Sequence, residues 1–198
     1  SSISIALFVL TISVIFSGGL HLDGWMDASD AFFSYRDKDK RLEIMDDPRT
    51  GSFAVLSLIF LLAWRFLFMF ETISQATVGY SLLLILLIPF FARLAMVLVF
   101  YFTNLAKGSG LAAFFKKALA ARDVVFHAGS LVGLLIGIAA IDASLLIRVV
   151  ILFGATLFFA LICKSFIERQ FGGITGDTLG ATVEGTETGL WLTVWLLL

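Results

Sequence analysis

The sequence predicts an all-α, polytopic transmembrane bundle of about six helices, with one short helix lying in the membrane interface. Three observations predict it. The chain of 198 residues is 60% apolar and only 15% charged, against roughly 45–50% and about 25% in ordinary soluble domains. Several apolar runs approach the roughly 20 residues that a helical bilayer crossing requires. The 21 Phe and two Pro suit long helices better than a loop-rich sheet protein. No repeat and no signal peptide is apparent, so residues 1–198 read as a single integral membrane domain. A net charge of −1 argues against a nucleic-acid partner, which needs a basic footprint. Cys163 is alone, which excludes an internal disulfide framework.

The first expected span is Ser2–Leu20. The second is Phe53–Phe70, containing Trp64 and Arg65, and the third is Val78–Phe102, carrying Pro89 and Arg93. The fourth is Val124–Ile141 and the fifth Ala143–Cys163, with Arg148 near its start. A sixth begins between Gly180 and Gly189. Its apolar run to Leu198 is about half a crossing long, and no initiator Met stands at residue 1, so both ends read as cut. Between the third and fourth spans, Leu111, Phe114, Phe115 and Leu119 share one face of Leu111–Ala121. Lys116 and Lys117 fall on another, which predicts a helix in the interface plane.

All but three of the 14 basic residues fall in one set of alternating loops. They are Arg36, Lys38, Lys40, Arg41 and Arg49, then Lys107, Lys116, Lys117 and Arg122, then Lys164 and Arg169. The three exceptions, Arg65, Arg93 and Arg148, lie inside apolar runs. An excess of Lys and Arg marks the cytoplasmic side, so residues 21–52, 103–123 and 164–179 are expected to face the cytoplasm. Apart from Glu71 and Asp142, every Asp and Glu lies on the same side or at its membrane edge, Asp123 among them. Pumps usually distribute charge through the depth of the bilayer. One-sided acids suit an enzyme acting on a polar cytoplasmic substrate.

Three stretches could do chemistry. In the first, Gly18 to Asp30, a helix would bring Asp23, Asp27 and Asp30 onto one face, since Asp27 lies about 40° round from Asp23 and Asp30 about 20° the other way. Carboxylates crowded in this way call for a cation, and oxygen-only donors favour Mg²⁺ or Mn²⁺ over zinc. The bland alternative is a solvated acidic loop. Gly18-Gly19 is expected to permit close backbone packing. His21 would point about 160° from Asp23, so it is not expected on the same ion; binding substrate and capping a neighbouring helix stay equally open.

In the second stretch, Arg36 to Gly51, the alternating charges of residues 36–41 read as a solvated, salt-bridged helix face. Glu43, Asp46 and Asp47 stand at i, i+3 and i+4 and should form one patch. Arg49, after Pro48, could hold a phosphate, and Thr50-Gly51 should start the next helix. In the third stretch, Gly172 to Glu187, Asp177 and Glu184 align on a helix within about 20°. Gly173, Gly176, Gly180 and Ala181 should form a small-residue packing face. Arg93, deep in its span, is expected to face a partner or cavity, whereas Arg65 is expected to snorkel toward the far surface.

At these stretches the chain resembles the cobalamin synthase family, the adenosylcobinamide-GDP ribazoletransferases. The matching residues are Gly18-Gly19-Leu20-His21-Leu22-Asp23-Gly24 with Asp27 and Asp30, then Lys40-Arg41-Leu42-Glu43-Ile44-Met45 with Asp47-Pro48-Arg49-Thr50-Gly51-Ser52-Phe53. Ala92-Arg93 with Ala95-Met96-Val97 follows, then Gly173-Ile174-Thr175-Gly176-Asp177 with Gly180-Ala181 and Glu184. Asp46, Pro48 and Ala31 depart from the residues usual in the family, a basic residue, Ser and Gly. The resemblance implies the last assembly step of the B₁₂ coenzyme. A hydroxyl of α-ribazole, or of its 5′-phosphate, attacks the cobinamide-side phosphorus of adenosylcobinamide-GDP, and GMP leaves, with Mg²⁺ required.

Under that resemblance Asp23, Asp27 and Asp30 hold metal. Glu43, Asp47, Asp177 and Glu184 hold a second ion or orient the nucleophile, His21 contacts substrate, and Arg49 and Arg93 bind phosphate. The expected setting is the cytoplasmic (inner) membrane of a bacterium or archaeon, with lipid and the two small-molecule substrates as partners and a homo-oligomer left open. A CDP-alcohol phosphatidyltransferase and an ion-coupled transporter are the alternatives. The first has a longer aspartate spacing that is not matched here, and the second usually shows a repeat.

Overall fold

The computed structural model describes residues 1–76, 80–118, 122, 126, 129–133, 136–138 and 143–198, and it is all-helical apart from one isolated bridge. Its principal helices are α1 (Ser2–Ser17), α2 (Leu20–Phe33), α3 (Lys38–Met45), α4 (Ser52–Gln75), α5 (Tyr80–Phe102), α6 (Gly110–Ala118), α7 (Ala143–Phe171) and α8 (Gly176–Leu197). Much of the expected fourth span, Val124–Ile141, lies outside the described residues, as do Leu119, Asp123 and Asp142.

By length and composition, α4, the Ser81–Phe102 stretch of α5 and the Leu145–Phe171 stretch of α7 can each cross a membrane. The first expected span is corrected. α1 stops at Ser17, and α1 and α2 meet at 87°. Gly18 and Gly19 make that corner with φ of 60° and 75°, a region open to glycine. A Cβ on either would meet nothing within 4 Å, so these glycines turn the chain and do not provide the close packing expected of them.

Helix α8 is the central element, packed against α2, α5, α4 and α7. Met69 of α4, Phe91 of α5, Leu152 of α7 and Leu190 of α8 belong to the main apolar core. Residues on the outer faces of the spans are large and apolar, among them Phe60, Leu86 and Leu161. Exposed apolar surface of this extent suits lipid. Helix α8 also buries Thr178, Thr182, Glu184, Thr186 and Glu187. Two of its threonines bond locally: Thr182 donates to the Thr178 carbonyl at 2.8 Å and Thr188 to that of Glu184 at 2.9 Å.

The sixth helix was expected to begin beyond Gly180, but α8 begins at Gly176. Thr175 caps it in a reciprocal box with Thr178, in which the Thr178 N–H donates to Thr175 Oγ1 at 3.1 Å and the Thr175 N–H to Thr178 Oγ1 at 2.8 Å. Gly173 therefore lies outside the helix and off any helical packing face.

Helix α6 exposes Leu111, Phe114 and Phe115 while burying Ala112 and Ala113, as an interfacial helix should. Lys116 turns back and donates to the carbonyls of Phe100, Tyr101 and Thr103, satisfying acceptors at the end of α5.

Candidate active site

Helix α2 carries Asp23, Asp27 and Asp30 at the spacing that puts them on one face. Gly24 stands between the first two. A Cβ there would lie 2.7 Å from the Asp177 carbonyl oxygen, and a Cβ on Gly180 would lie 3.2 Å from His21 Cα. Glycine at both positions lets α2 and α8 meet backbone to backbone, which delivers Asp177, in the first turn of α8, to the aspartate face. At the other end of α2 the Asp30 carboxylate abuts Gly51, the N-cap of α4, with no room for a side chain on that glycine. Parts of all three stretches thus share one end of the bundle.

Negative charge predominates at this site. Asp27 lies in the negative fields of Asp23, Asp177, Asp30 and Asp46. Burial pushes the Asp177 carboxyl above its usual range, and Asp46 pushes the same way. Its own backbone N–H, Lys107 and a Thr175 hydroxyl bond of 3.4 Å pull against them. Among the described residues, Asp23, Asp27, Asp30 and Asp177 have no cation within ion-pairing distance. No three carboxylates or imidazoles among those residues stand close enough to hold an ion directly. The donor set, all oxygen and all anionic, fits Mg²⁺, which keeps several waters and needs only one or two carboxylates.

The second stretch is divided among separate partners. Helix α3 ends at Met45, with Asp46 as its C-cap, so the expected Glu43–Asp46–Asp47 patch does not form. Glu43 pairs with Lys40 in solvent. Asp46 pairs with Lys107 at 2.5 Å. Asp47 grips Arg49 through Nε at 2.9 Å and Nη2 at 2.5 Å, and Arg49 holds its carboxyl down to about 2. The solvated reading of residues 36–41 holds for the exposed residues 36–40 and needs correction at Arg41. Arg41 reaches the end of α7, donating to Gln170 Oε1 at 2.6 Å and stacking over Phe32, while Asp37 N-caps α3.

A different cluster lies two helical turns along α8. Arg65, only 2% exposed, donates through Nε to Thr188 Oγ1 at 2.9 Å and through Nη2 to the Glu184 carbonyl at 2.7 Å. Glu184 Oε2 is also 2.7 Å from Nη2, held by charge but without an aligned hydrogen bond of its own. Glu187 lies 3.9 Å from Arg65 and 3.8 Å from Arg93.

The expected snorkelling of Arg65 is thus overturned. Helix α4 runs on to Gln75, which places Arg65 mid-helix, where a charge must find partners. Arg93 does face a partner and a cavity. It donates to the Pro89 carbonyl at 3.0 Å and lines a space of about 580 Å³ with His21, Arg65, Glu184 and Glu187. His21 points away from the aspartate face into this cluster, its Nδ1 buried and unbonded. Asp177 and Glu184 share a face of α8 but not a site.

Arg65, Glu187 and Lys107 were not expected to pair as they do. The signal for the first two was present: an intramembrane arginine and an i, i+3 glutamate pair need one another. Lys107 gave none beyond its charge.

The profile of the cobalamin-5-phosphate synthase family (CobS) matches residues 1–195. A Geobacillus sp. (strain WCH70) protein named adenosylcobinamide-GDP ribazoletransferase is 46% identical over 199 residues, covering 100% of this chain and 74% of the relative. Relatives of the same name from Geobacillus thermodenitrificans (strain NG80-2) and Clostridioides difficile (strain 630) are 44% and 32% identical. Each of these alignments covers 98% of this chain, and 72% and 76% of the respective relatives. No solved structure matches.

Proposed function

This chain belongs to the cobalamin-5-phosphate synthase family, and on that premise we propose a multi-pass membrane transferase that joins α-ribazole, or its 5′-phosphate, to adenosylcobinamide-GDP. A hydroxyl oxygen of the ribazole forms a bond to the cobinamide-side phosphorus. The bond from that phosphorus to the bridging oxygen breaks, GMP leaves with that oxygen, and the hydroxyl proton passes to a carboxylate or to water. The product is adenosylcobalamin or its 5′-phosphate.

The observation that carries this reading is the backbone contact of α2 with α8 at Gly24 and Gly180, which joins Asp177 to the Asp23–Asp27–Asp30 face. Bound there, Mg²⁺ would neutralise charge developing on the phosphoryl oxygens. The four aspartates are assigned to hold it, at most two of them directly and the others through its waters. The exposed Asp47–Arg49 pair can open to offer the guanidinium to a phosphate, and Glu43 can leave Lys40 to engage a nucleophile. His21 and Arg93 contact substrate from the neighbouring cavity, whose charge Glu184 balances.

Incubating purified protein with adenosylcobinamide-GDP, α-ribazole and Mg²⁺ should yield cobalamin and GMP in equal amounts; no product under saturating substrate would reject the reading. The cytoplasmic orientation rests on the loop charges. Lys38→Cys and Lys117→Cys should resist an impermeant thiol reagent in intact cells and react after permeabilisation, and labelling from outside would reverse the map.

A further inference from the structure

The segment 103–109 joins α5 to α6 and is pinned to the start of α8. The Ala106 N–H donates to the Ile174 carbonyl at 3.0 Å and the Ile174 N–H to that of Asn104 at 2.9 Å. Gly173 permits this, since a Cβ there would stand 2.5 Å from the Asn104 oxygen and 2.6 Å from the Ala106 nitrogen. Ile174 itself is fully buried. Lys107 follows immediately, so its place relative to Asp177, three residues beyond Ile174, is fixed by backbone rather than by a loose loop.

The Lys107 ammonium sits 2.5 and 2.6 Å from the two Asp46 oxygens, and its positive field reaches Asp177. It is a cation at an edge where Asp23, Asp27, Asp30 and Asp177 are unpaired. A polyanionic substrate approaching such an edge needs a fixed positive group as well as neutralised carboxylates.

We propose that Lys107 is a substrate-binding residue that takes a phosphate oxygen of the nucleotide diphosphate, with Asp46 holding its ammonium in place until that phosphate arrives. This rests on the transferase reading and adds a residue to it. The exchange is cheap, because the Lys107 and Asp46 side chains are 26% and 60% exposed and pairs of that kind contribute little to stability. A lysine serves phosphate as a mobile point charge, so it can follow the oxygen through the transfer.

The test is steady-state kinetics in dodecyl maltoside without phospholipid, varying each substrate separately. Lys107→Gln should raise the KM for adenosylcobinamide-GDP about ten-fold or more, the scale of one lost charge-assisted hydrogen bond. It should leave the KM for α-ribazole and the melting temperature unchanged, and Lys107→Arg should recover most of the loss. Asp46→Asn should not raise the KM, because it frees the ammonium. An unchanged KM in Lys107→Gln would overturn the proposal. Equal rises in Lys107→Gln and Asp46→Asn would also overturn it, reducing the pair to a loop fastener. A defect confined to anionic liposomes would overturn it in favour of a lipid headgroup. Wild-type protein that makes no GMP at all would instead remove the transferase reading, and this inference with it.

Discussion

Helix α8 carries acids at two levels, and among the described residues only one level is paired with cations of the chain. At its first turn, Asp177 joins the three aspartates of α2, and no cation among the described residues pairs with any of the four. Two turns further on, Glu184 and Glu187 share Arg65 and Arg93. The deep cluster sets two carboxylates against two guanidiniums of the chain itself. At the rim the four aspartates have no paired cation among the described residues, which on the proposed reading is where Mg²⁺ binds. Side chains of one type on one helix thus do two jobs, set by what faces them.

The sharpest way to break this contrast is at Asp27. Asp27→Asn keeps shape and removes one ligand charge, so the transferase rate should fall by orders of magnitude, since a catalytic metal supplies several kcal/mol. The melting temperature should hold, because the substitution relieves repulsion. A near-normal rate would remove Asp27 from the metal.

Arg65 should behave in the reverse manner. Arg65→Met strands two buried carboxylates and should destabilise the protein by about 3–5 kcal/mol, the usual cost of breaking a buried pair. Adding Glu184→Gln should recover part of that. Thermal melts in detergent would show it, and an unaffected melt would mean the deep cluster does not hold α4 to α8.

Gly24→Ala tests the contact that creates the rim. Its new methyl would press on the Asp177 backbone, costing about 1–3 kcal/mol by overpacking and lowering the rate by moving Asp177. Full activity in that variant would mean that the α2–α8 approach is not needed. The smallest effect belongs to Asp37→Asn, which should stay within about 0.5 kcal/mol and near the wild-type rate, because Asn caps a helix as well as Asp does.

The aspartate face of α2 was legible because helical periodicity is local and the chain keeps it unbroken from Leu20 to Phe33. The Glu43–Asp46–Asp47 patch was misread for the same reason in reverse. The spacing was right for a helix, but α3 ends at Met45 and the three side chains take three cations. Arg65 was misread because hydropathy placed the end of α4 at Phe70, five residues short of Gln75. The glycines show the limit most clearly. The sequence marks Gly18, Gly19, Gly24, Gly173 and Gly180 alike, and only the tertiary contacts separate the corner from the close approaches.

On the proposed reading Asp177 and the α2 aspartates share one ion, partly through its waters, while Glu184 does not contact it. Equilibrium Mn²⁺ binding to purified protein, read by the loss of the free-ion paramagnetic resonance signal, tests it without any turnover. Asp27→Asn and Asp177→Asn should each weaken binding about ten-fold or more, the scale of one lost charged contact, and Glu184→Gln should bind like wild type. Wild-type affinity in Asp177→Asn, or a loss in Glu184→Gln as large as that in Asp27→Asn, would contradict the separation of rim and deep cluster.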